Sequence, residues 1–326
     1  MRKMVLQRLV QLIPVLFMVT LLSFFLMYLS PGDPVTALLE QGGSAADPEL
    51  VAAKRAELGL DKPIIDQYLI WLGNVFQGDL GTSISSGRPV ATELLSRMPA
   101  TLFLAVVSVV LTLVVSIPLG CLCALKRNKF TDYLIRALSF IGSAFPGFLM
   151  ALVLVFVFSI TLHLLPSIGS MRGVGWVLPV LTLVLCESAV YIRQVRTIVL
   201  QEMEQEYVEA ARVRGFSDAK ILFRSVLKAV APTILVLTGM TFAQLLGGSA
   251  IIESIFNWPG IGKYAVSAVF SRDYPVVQGY VFIMAIFFVL VNLCVDLVQV
   301  RLDPRARLAL RKARVLSRKD QEAAHE

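Results

Sequence analysis

The sequence predicts an all-α membrane protein with six transmembrane helices and a small helical extracytoplasmic subdomain between the first two. Three observations carry this. The 326 residues are 56% apolar and only 16% charged, with a mean hydropathy of +0.74, whereas a soluble domain of this size needs charge spread along the chain to cover its surface. The charges instead sit in blocks between apolar runs long enough to cross a bilayer. Lys and Arg are, in addition, unevenly shared among the loops.

The apolar runs are 9–29, 102–125, 138–165, 174–192, 229–252 and 276–300. At about 1.5 Å rise per residue, roughly 20 residues cross the hydrocarbon core. A backbone there must satisfy its own hydrogen bonds, so each run is expected to be helical. The third run is long enough to tilt or to kink at Pro146. The fourth carries Glu187 and the sixth Asp296; the other four hold no charge. A secretory signal also begins with a basic stretch and an apolar core. The first run is longer than a typical signal core, however, and ends in Ser30-Pro31-Gly32-Asp33-Pro34 with no small-x-small cleavage site, so a retained helix is expected.

With the amino terminus inside, the inner segments 1–8, 126–136, 193–228 and 301–326 hold 22 of the 30 basic residues. Five of the other eight lie in 31–100, a loop too long to vote on orientation. Both termini are therefore expected in the cytoplasm. The net charge of +7 follows from this topology and needs no nucleic-acid partner. Cys121, Cys123, Cys186 and Cys294 all fall within apolar runs, where they act as small hydrophobes and imply no disulfide framework. His163 and His325 are the only histidines, and neither has a second ligand at metal spacing.

The outer loop 31–100 is too long for a simple connector. Residues 48–58 read as a helix with Leu50, Ala53 and Leu58 on one side and Gly59 as its stop. Residues 64–76 read as a second, with an apolar stripe of Tyr68, Leu69, Leu72 and Phe76. The loop is either a small subdomain that meets a partner or a lid that only packs. On the inner side, 202–214 reads as a helix with acidic first turns and a basic end, both favourable to the helix dipole. Gly215 stops it, and Ser217 or Asp218 caps a second helix beginning at Ala219. Met203, Tyr207, Ala210 and Ala211 form a narrow stripe along the first helix. Such a stripe either lets another surface approach closely or belongs to a solvated linker.

Catalytic constellations are missing from the sequence. It has no His-x-x-x-His pair, no G-x-S-x-G elbow and no phosphate loop; Gly260-Ile261-Gly262-Lys263 misplaces the first glycine and is followed by Tyr264. The chain is therefore expected to be no enzyme and to bind no ATP. A carboxylate in a span is costly without a partner or water. Asp296 is expected to pair with Arg301 or snorkel, and Glu187 either pairs with Arg193 or points into a watery path. Two isolated carboxylates make a poor proton relay, which disfavours the alternative of a self-contained secondary transporter or channel.

The inner stretch Glu206-Tyr207-Val208-Glu209-Ala210-Ala211-Arg212-Val213-Arg214-Gly215 resembles the EAA signature of bacterial ABC importer permeases. It is joined by Pro31-Gly32-Asp33-Pro34, Leu58-Gly59-Leu60-Asp61-Lys62-Pro63, Gly78-Asp79-Leu80-Gly81, Asn257-Trp258-Pro259-Gly260-Ile261-Gly262, Arg272-Asp273-Tyr274-Pro275-Val276-Val277-Gln278 and Asp303-Pro304-Arg305. In this order they resemble the dipeptide/oligopeptide/nickel permease family, and its "B"-type subunits in particular, over about residues 1–307. The departure is Ala231-Pro232, which stands slightly early of the family's usual Leu-Pro. The short loop 166–175 is similar to nickel-type and some oligopeptide-type members.

The resemblance implies the type I importer permease fold, in the inner membrane. It divides the chain into 1–30 (tail and first helix), 31–100 (extracytoplasmic subdomain), 101–307 (permease core with coupling loop 193–228) and 308–326 (basic cytoplasmic tail). It implies a heterodimer with a second, related permease, two cytoplasmic ATPase subunits that bind ATP and Mg²⁺, and an extracytoplasmic solute-binding protein delivering di- or oligopeptides or nickel. This chain itself carries no cofactor, and membrane lipid is its surroundings. Glu209, Ala210, Ala211 and Gly215 are implied as the residues that couple to the ATPase. Glu187 and His163 are candidate contacts along the translocation path, His163 otherwise being an interfacial residue at a helix end.

Overall fold

A computed structural model describes residues 2–29, 32–41 and 47–302. Pro31, Asp303-Pro304-Arg305 and the tail 308–326, all singled out above, lie outside the described residues. Among the described residues five helices are long and apolar enough to cross a membrane, and a sixth span is reached when a bent helix pair is counted as one. Among the described residues the only strand-like pairing is an isolated bridge between Thr82 and Pro89.

Helix α1 (Arg2–Leu29) lies along the last helix, α14 (Tyr274–Leu302). Arg8 reaches Asp296 with Nε to Oδ2 at 2.7 Å and Nη2 to Oδ2 at 2.6 Å. The expected partner of Asp296 was Arg301, five residues on. The structure instead gives Asp296 a guanidinium from another span, tying the two ends of the chain together.

Between α1 and the second span come α2 (Pro34–Gln41), α3 (Pro48–Glu57) and α4 (Ile64–Phe76). Asp47 caps α3 by accepting from the Glu49 N–H at 3.1 Å, and Gly59, at φ +68°, stops it as expected. No residue of α3 is buried, and Leu50 and Ala53 are exposed, so the expected apolar side is not a packing face. Helix α4 has the expected bounds, but its buried side is Tyr68 and Trp71, while Leu69 and Phe76 face out. Its position on α1 and α14 decides this: Tyr68 packs edge-on to Phe17 and Phe24, and Trp71 edge-on to Phe282.

Helix α5 (Val90–Leu125) has 36 residues and begins 12 residues before the apolar run, so at about 1.5 Å per residue it outreaches the hydrocarbon core. It crosses position 100, where the sequence suggested a boundary. The third run is not one helix. Helices α6 (Phe130–Ala144) and α7 (Gly147–Leu154), the latter continued by a π-helical turn over Val155–Thr161, are bent by 99°. The proline responsible was visible in the sequence, but the break is sharper than a kink. Pro146 has no N–H to donate and disfavours a helical residue before it; Phe145 accordingly sits at φ −84°, ψ 126°.

Helix α8 (Val177–Met203) is the central element, with 56% of its most apolar window buried. It runs well past the expected end at 192. Helix α5 packs against it so closely that a Cβ on Gly120 would lie 2.7 Å from the Val195 side chain. After α9 (Glu206–Val213) and α10 (Asp218–Ile221), a π-helical turn over Leu222–Val226 leads into α11 (Leu227–Gly248), which continues through Pro232. Helices α12 (Ala250–Ile255) and α13 (Ile261–Phe270) precede α14.

Of the four apolar clusters among the described residues, two hold the centre of the bundle. One, around Leu104, Leu178, Leu246, Phe256 and Trp258, holds α5, α8, α11 and α12 together toward the α4 end. The other, around Val195, Val199, Met203, Val208, Leu222 and Val226, fixes the α9 end.

Candidate functional site

The single inner helix expected over 202–214 is broken. Helix α8 ends at Met203, Gln205 turns extended at φ −75°, ψ 148°, and α9 starts afresh at Glu206. The break resets the helical phase, so Met203, Tyr207, Ala210 and Ala211 do not form one stripe. Met203 is buried in the α9-end cluster, and the Tyr207 hydroxyl donates to Glu202 Oε1 at 2.9 Å. The residue that anchors α9 is Val208, fully buried, with Ala211 half-buried beside it. What α9 leaves outside is Glu209, Ala210, Val213 (89% exposed), Gly215 and Phe216.

The end of α9 follows the sequence reading. Gly215 has φ +83°, a conformation that costs a side-chain-bearing residue but not glycine. Its N–H donates to Arg212 O at 2.8 Å and the Phe216 N–H to Ala211 O at 3.2 Å, the paired bonds of a Schellman stop. A Cβ here would meet no atom within 4 Å, so backbone conformation rather than space is the reason for glycine. Ser217 stands at the N-cap of α10 without a side-chain capping bond. Asp218 is taken by Arg212, whose Nε lies 2.8 Å from Oδ1.

This exposed helix stands on a rigid base. Arg196 of α8 donates to both oxygens of Asp132 in α6, and the Asn128 N–H donates to the same carboxylate at 3.0 Å. Arg127 in the α5–α6 loop meets Glu204 at 2.6 Å. The Asp132–Arg196 pair escaped the sequence reading because 64 residues separate its members, and a single basic loop offers many candidate partners for one carboxylate.

At the opposite end a second missed residue is central. Glu253 is fully buried; Oε1 accepts from Thr101 Oγ1 at 2.7 Å and Ser249 Oγ at 3.2 Å, and Oε2 from the Lys263 N–H at 2.9 Å. Thr101 Oγ1 in turn accepts from the Ile261 N–H at 2.9 Å, and Trp258 Nε1 donates to Ala100 O at 3.0 Å. A Cβ on Gly260 would lie 2.4 Å from Glu253 Oε2. The glycine of the Asn257-Trp258-Pro259-Gly260 stretch thus admits the carboxylate, and its adjacency to a Glu just past an apolar run was the available signal.

The two weaker candidates lie apart from the α9 loop. Glu187 sits in α8 and does not pair with Arg193, whose Nη1 donates instead to Ser139 O, Ser143 Oγ and Ala189 O. His163 follows the π-helical turn at φ +53°, exposed, with Nδ1 3.3 Å from Thr161 O. Among the described residues no three His, Cys, Asp or Glu side chains converge on a metal position.

An all-α bundle of apolar spans, with one broken span and a short exposed helix on the loop between α8 and α11, defines a membrane permease. The family described as the binding-protein-dependent transport system inner membrane component matches residues 116–308, and its N-terminal counterpart matches residues 1–105. The chain belongs to this family and is a permease subunit of an ABC importer. The glutathione transport system permease protein GsiC of Escherichia coli O6:H1 is 36% identical over 303 residues, 93% of this chain and 98% of that protein. The same protein of Shigella dysenteriae serotype 1 is 35% identical over the same share. An inward-facing structure of the MetNI methionine ABC transporter matches with a TM-score of 0.56 at 19% identity, covering 64% of this chain and 96% of that chain, which shows a shared fold.

Proposed function

We propose that the chain forms half of a translocation path for small peptides, driven through α9 by partner ATPases. The observation that carries this is the exposure of Glu209, Ala210 and Val213 on a helix whose other side is pinned by Val208 and whose base is braced by Asp132 and Arg196. Small residues let a partner approach the backbone, and a braced loop transmits displacement instead of absorbing it. Glu209, Ala210 and Gly215 form the contact surface and its stop; Ala211, half-buried, supports them from behind.

The second permease is a related but different chain, and a pair of cytoplasmic ATPase subunits holds the ATP and Mg²⁺. An extracytoplasmic protein delivers the solute, with α2, α3 and α4 on its side and both termini of this chain in the cytoplasm. Of the peptide and nickel solutes that the family resemblance implies, a small peptide is favoured. Glutathione, named for the relatives, is itself a small peptide, and His163 belongs to no group of three metal-ligating side chains among the described residues. The test is purification of the chain with its companion permease, followed by uptake of labelled small peptides into vesicles with and without the ATPase subunits. ATP-dependent uptake is expected only with them. Uptake driven by an ion gradient in their absence would overturn the reading.

A further inference from the structure

Helix α8 buries two of its faces within this chain. Cys186, Ala189, Arg193 and Arg196 turn to α6 and α7, with the Ala189 Cβ 3.1 Å from a Cβ placed on Gly142. Tyr191 and Val195 turn to α11 and α5, through the Tyr191 hydroxyl bond to Ile234 O and the Gly120 contact. The third face holds Glu187, Val190, Gln194, Thr197 and Gln201, spaced 3, 4, 3 and 4 residues apart. Glu187 is half-buried and the other four are exposed.

This face is polar where neighbouring exposed faces are not. The outward residues of α5 at comparable positions are Val106, Val110, Leu111 and Val114, as expected for contact with lipid. A carboxylate side chain at membrane depth faces a bundle interior or water, while Gln194, Thr197 and Gln201 carry the same face on into the inner segment that begins at 193. Glu187 lies ten residues into α8, about 15 Å along the helix, or roughly half the hydrocarbon thickness.

The other carboxylates in the membrane-spanning helices have partners in the described structure, Asp132 in Arg196 among them. Asp296 has Arg8, Glu253 has Thr101, Ser249 and the Lys263 N–H, Glu93 has Arg88 and Arg97, and Glu202 has the Tyr207 hydroxyl. Glu187 has no hydrogen bond or ion pair among the described residues, and the nearest cationic candidate on its helix, Arg193, is committed to α6 and to its own backbone. No cluster of metal-ligating side chains surrounds Glu187, so a divalent cation finds too few ligands there. A single negative charge suits a single positive one.

We infer that the Glu187–Gln201 face of α8 lines the translocation path and that Glu187 receives the protonated amine of the passing solute. The inference rests on the permease reading and adds to it a site and a chemical class. Gln194, two turns away, offers amide hydrogen bonds to the peptide that follows the amine. Because Glu187 meets the amine only in passing, it weights the path toward cations without selecting among side chains.

The test uses the assembled transporter in nanodiscs, with the four cysteines replaced by serine and a single Gln194→Cys. Its reaction rates with cationic trimethylammonioethyl and anionic sulfonatoethyl methanethiosulfonate are compared, each normalised to the rate with free thiol. Charge steering at about 10 Å within a confined path predicts a preference for the cation of about tenfold. The preference is expected to vanish in Glu187→Gln and to survive in Glu187→Asp, while Val106→Cys stays unreactive to both. No reaction at Gln194→Cys, or equal normalised rates with Glu187 present, would overturn the inference. The comparison with Glu187 intact needs no change at that site, so it decides the matter even where Glu187→Gln fails to assemble. Labelling requires no transport, so ATP-dependent uptake by the unsubstituted complex judges the permease reading separately.

Discussion

Arg196 holds Asp132 with two parallel hydrogen bonds, Nε to Oδ1 at 2.7 Å and Nη2 to Oδ2 at 2.8 Å, joining α8, seven residues before its end at Met203, to the start of α6. Asp132 is fully buried. Removing Arg196 leaves the buried carboxylate with only the Asn128 N–H and the more distant Arg136 guanidinium at 3.8 Å, and such a loss costs on the order of 3 kcal/mol. Arg196→Leu is therefore expected to lower the thermal midpoint of the purified complex, and Arg196→Leu with Asp132→Asn to recover part of the loss. Scanning fluorimetry in detergent measures both; equal midpoints for the single variant and the wild type would show the pair to be dispensable.

Topology is testable at two positions whose surroundings are now visible. Ser86 is exposed on the turn before α5, and Ser217 is exposed before α10. Ser86 serves better than Ser85, whose N–H and hydroxyl are both bonded to Asp273. In a cysteine-free background, Ser86→Cys is expected to react with an impermeant maleimide in cells whose outer barrier admits the reagent. Ser217→Cys should react only after lysis. The reverse order would invert the map.

Thr101 and Glu253 lock α5 to the α12–α13 segment. Thr101→Val keeps the shape but leaves the Ile261 N–H without its acceptor and Glu253 with one donor fewer. Each buried unsatisfied group costs roughly 1–3 kcal/mol. The variant is expected to insert but to melt several degrees lower, with faster hydrogen exchange confined to α12 and α13. Unchanged exchange there would mean that the apolar cluster around Trp258 holds the segment alone.

Six apolar runs were legible because hydropathy reports depth, and the C-terminal end of α1, both ends of α4 and the stop at Gly215 were legible because local backbone chemistry decides them. What the sequence hid was set by partners far along the chain. Tyr68 faces inward as expected, but it is joined there by Trp71 and not by Leu69 and Phe76, because α1 and α14 lie on that side of α4. The break at Gln205 turned Ala211 toward Val208 and left Ala210 outside, a phase change that helical spacing alone could not reveal. Asp296 found Arg8, 288 residues away, a partner that spacing along its own helix does not suggest. The proline at 146 was visible, but the 99° turn depends on α8 receiving both halves.

The central claim is that α9 couples this permease to its ATPases, and two substitutions on its outward side test it most directly. Ala210 is exposed, so Ala210→Glu adds bulk and charge to the contact surface without entering the apolar cluster, as Ala211→Glu would. Gly215→Val forces a β-branched residue into a left-handed backbone, at a cost of roughly 1–2 kcal/mol in the turn alone. Uptake, recovery of ATPase subunits and solute-stimulated hydrolysis are measured on the same preparation. Both variants are expected at normal abundance in the membrane, without uptake, and with ATPase subunits either lost or no longer stimulated. Normal transport by both, with ATPase subunits bound, would contradict the account and place the coupling elsewhere in 193–228.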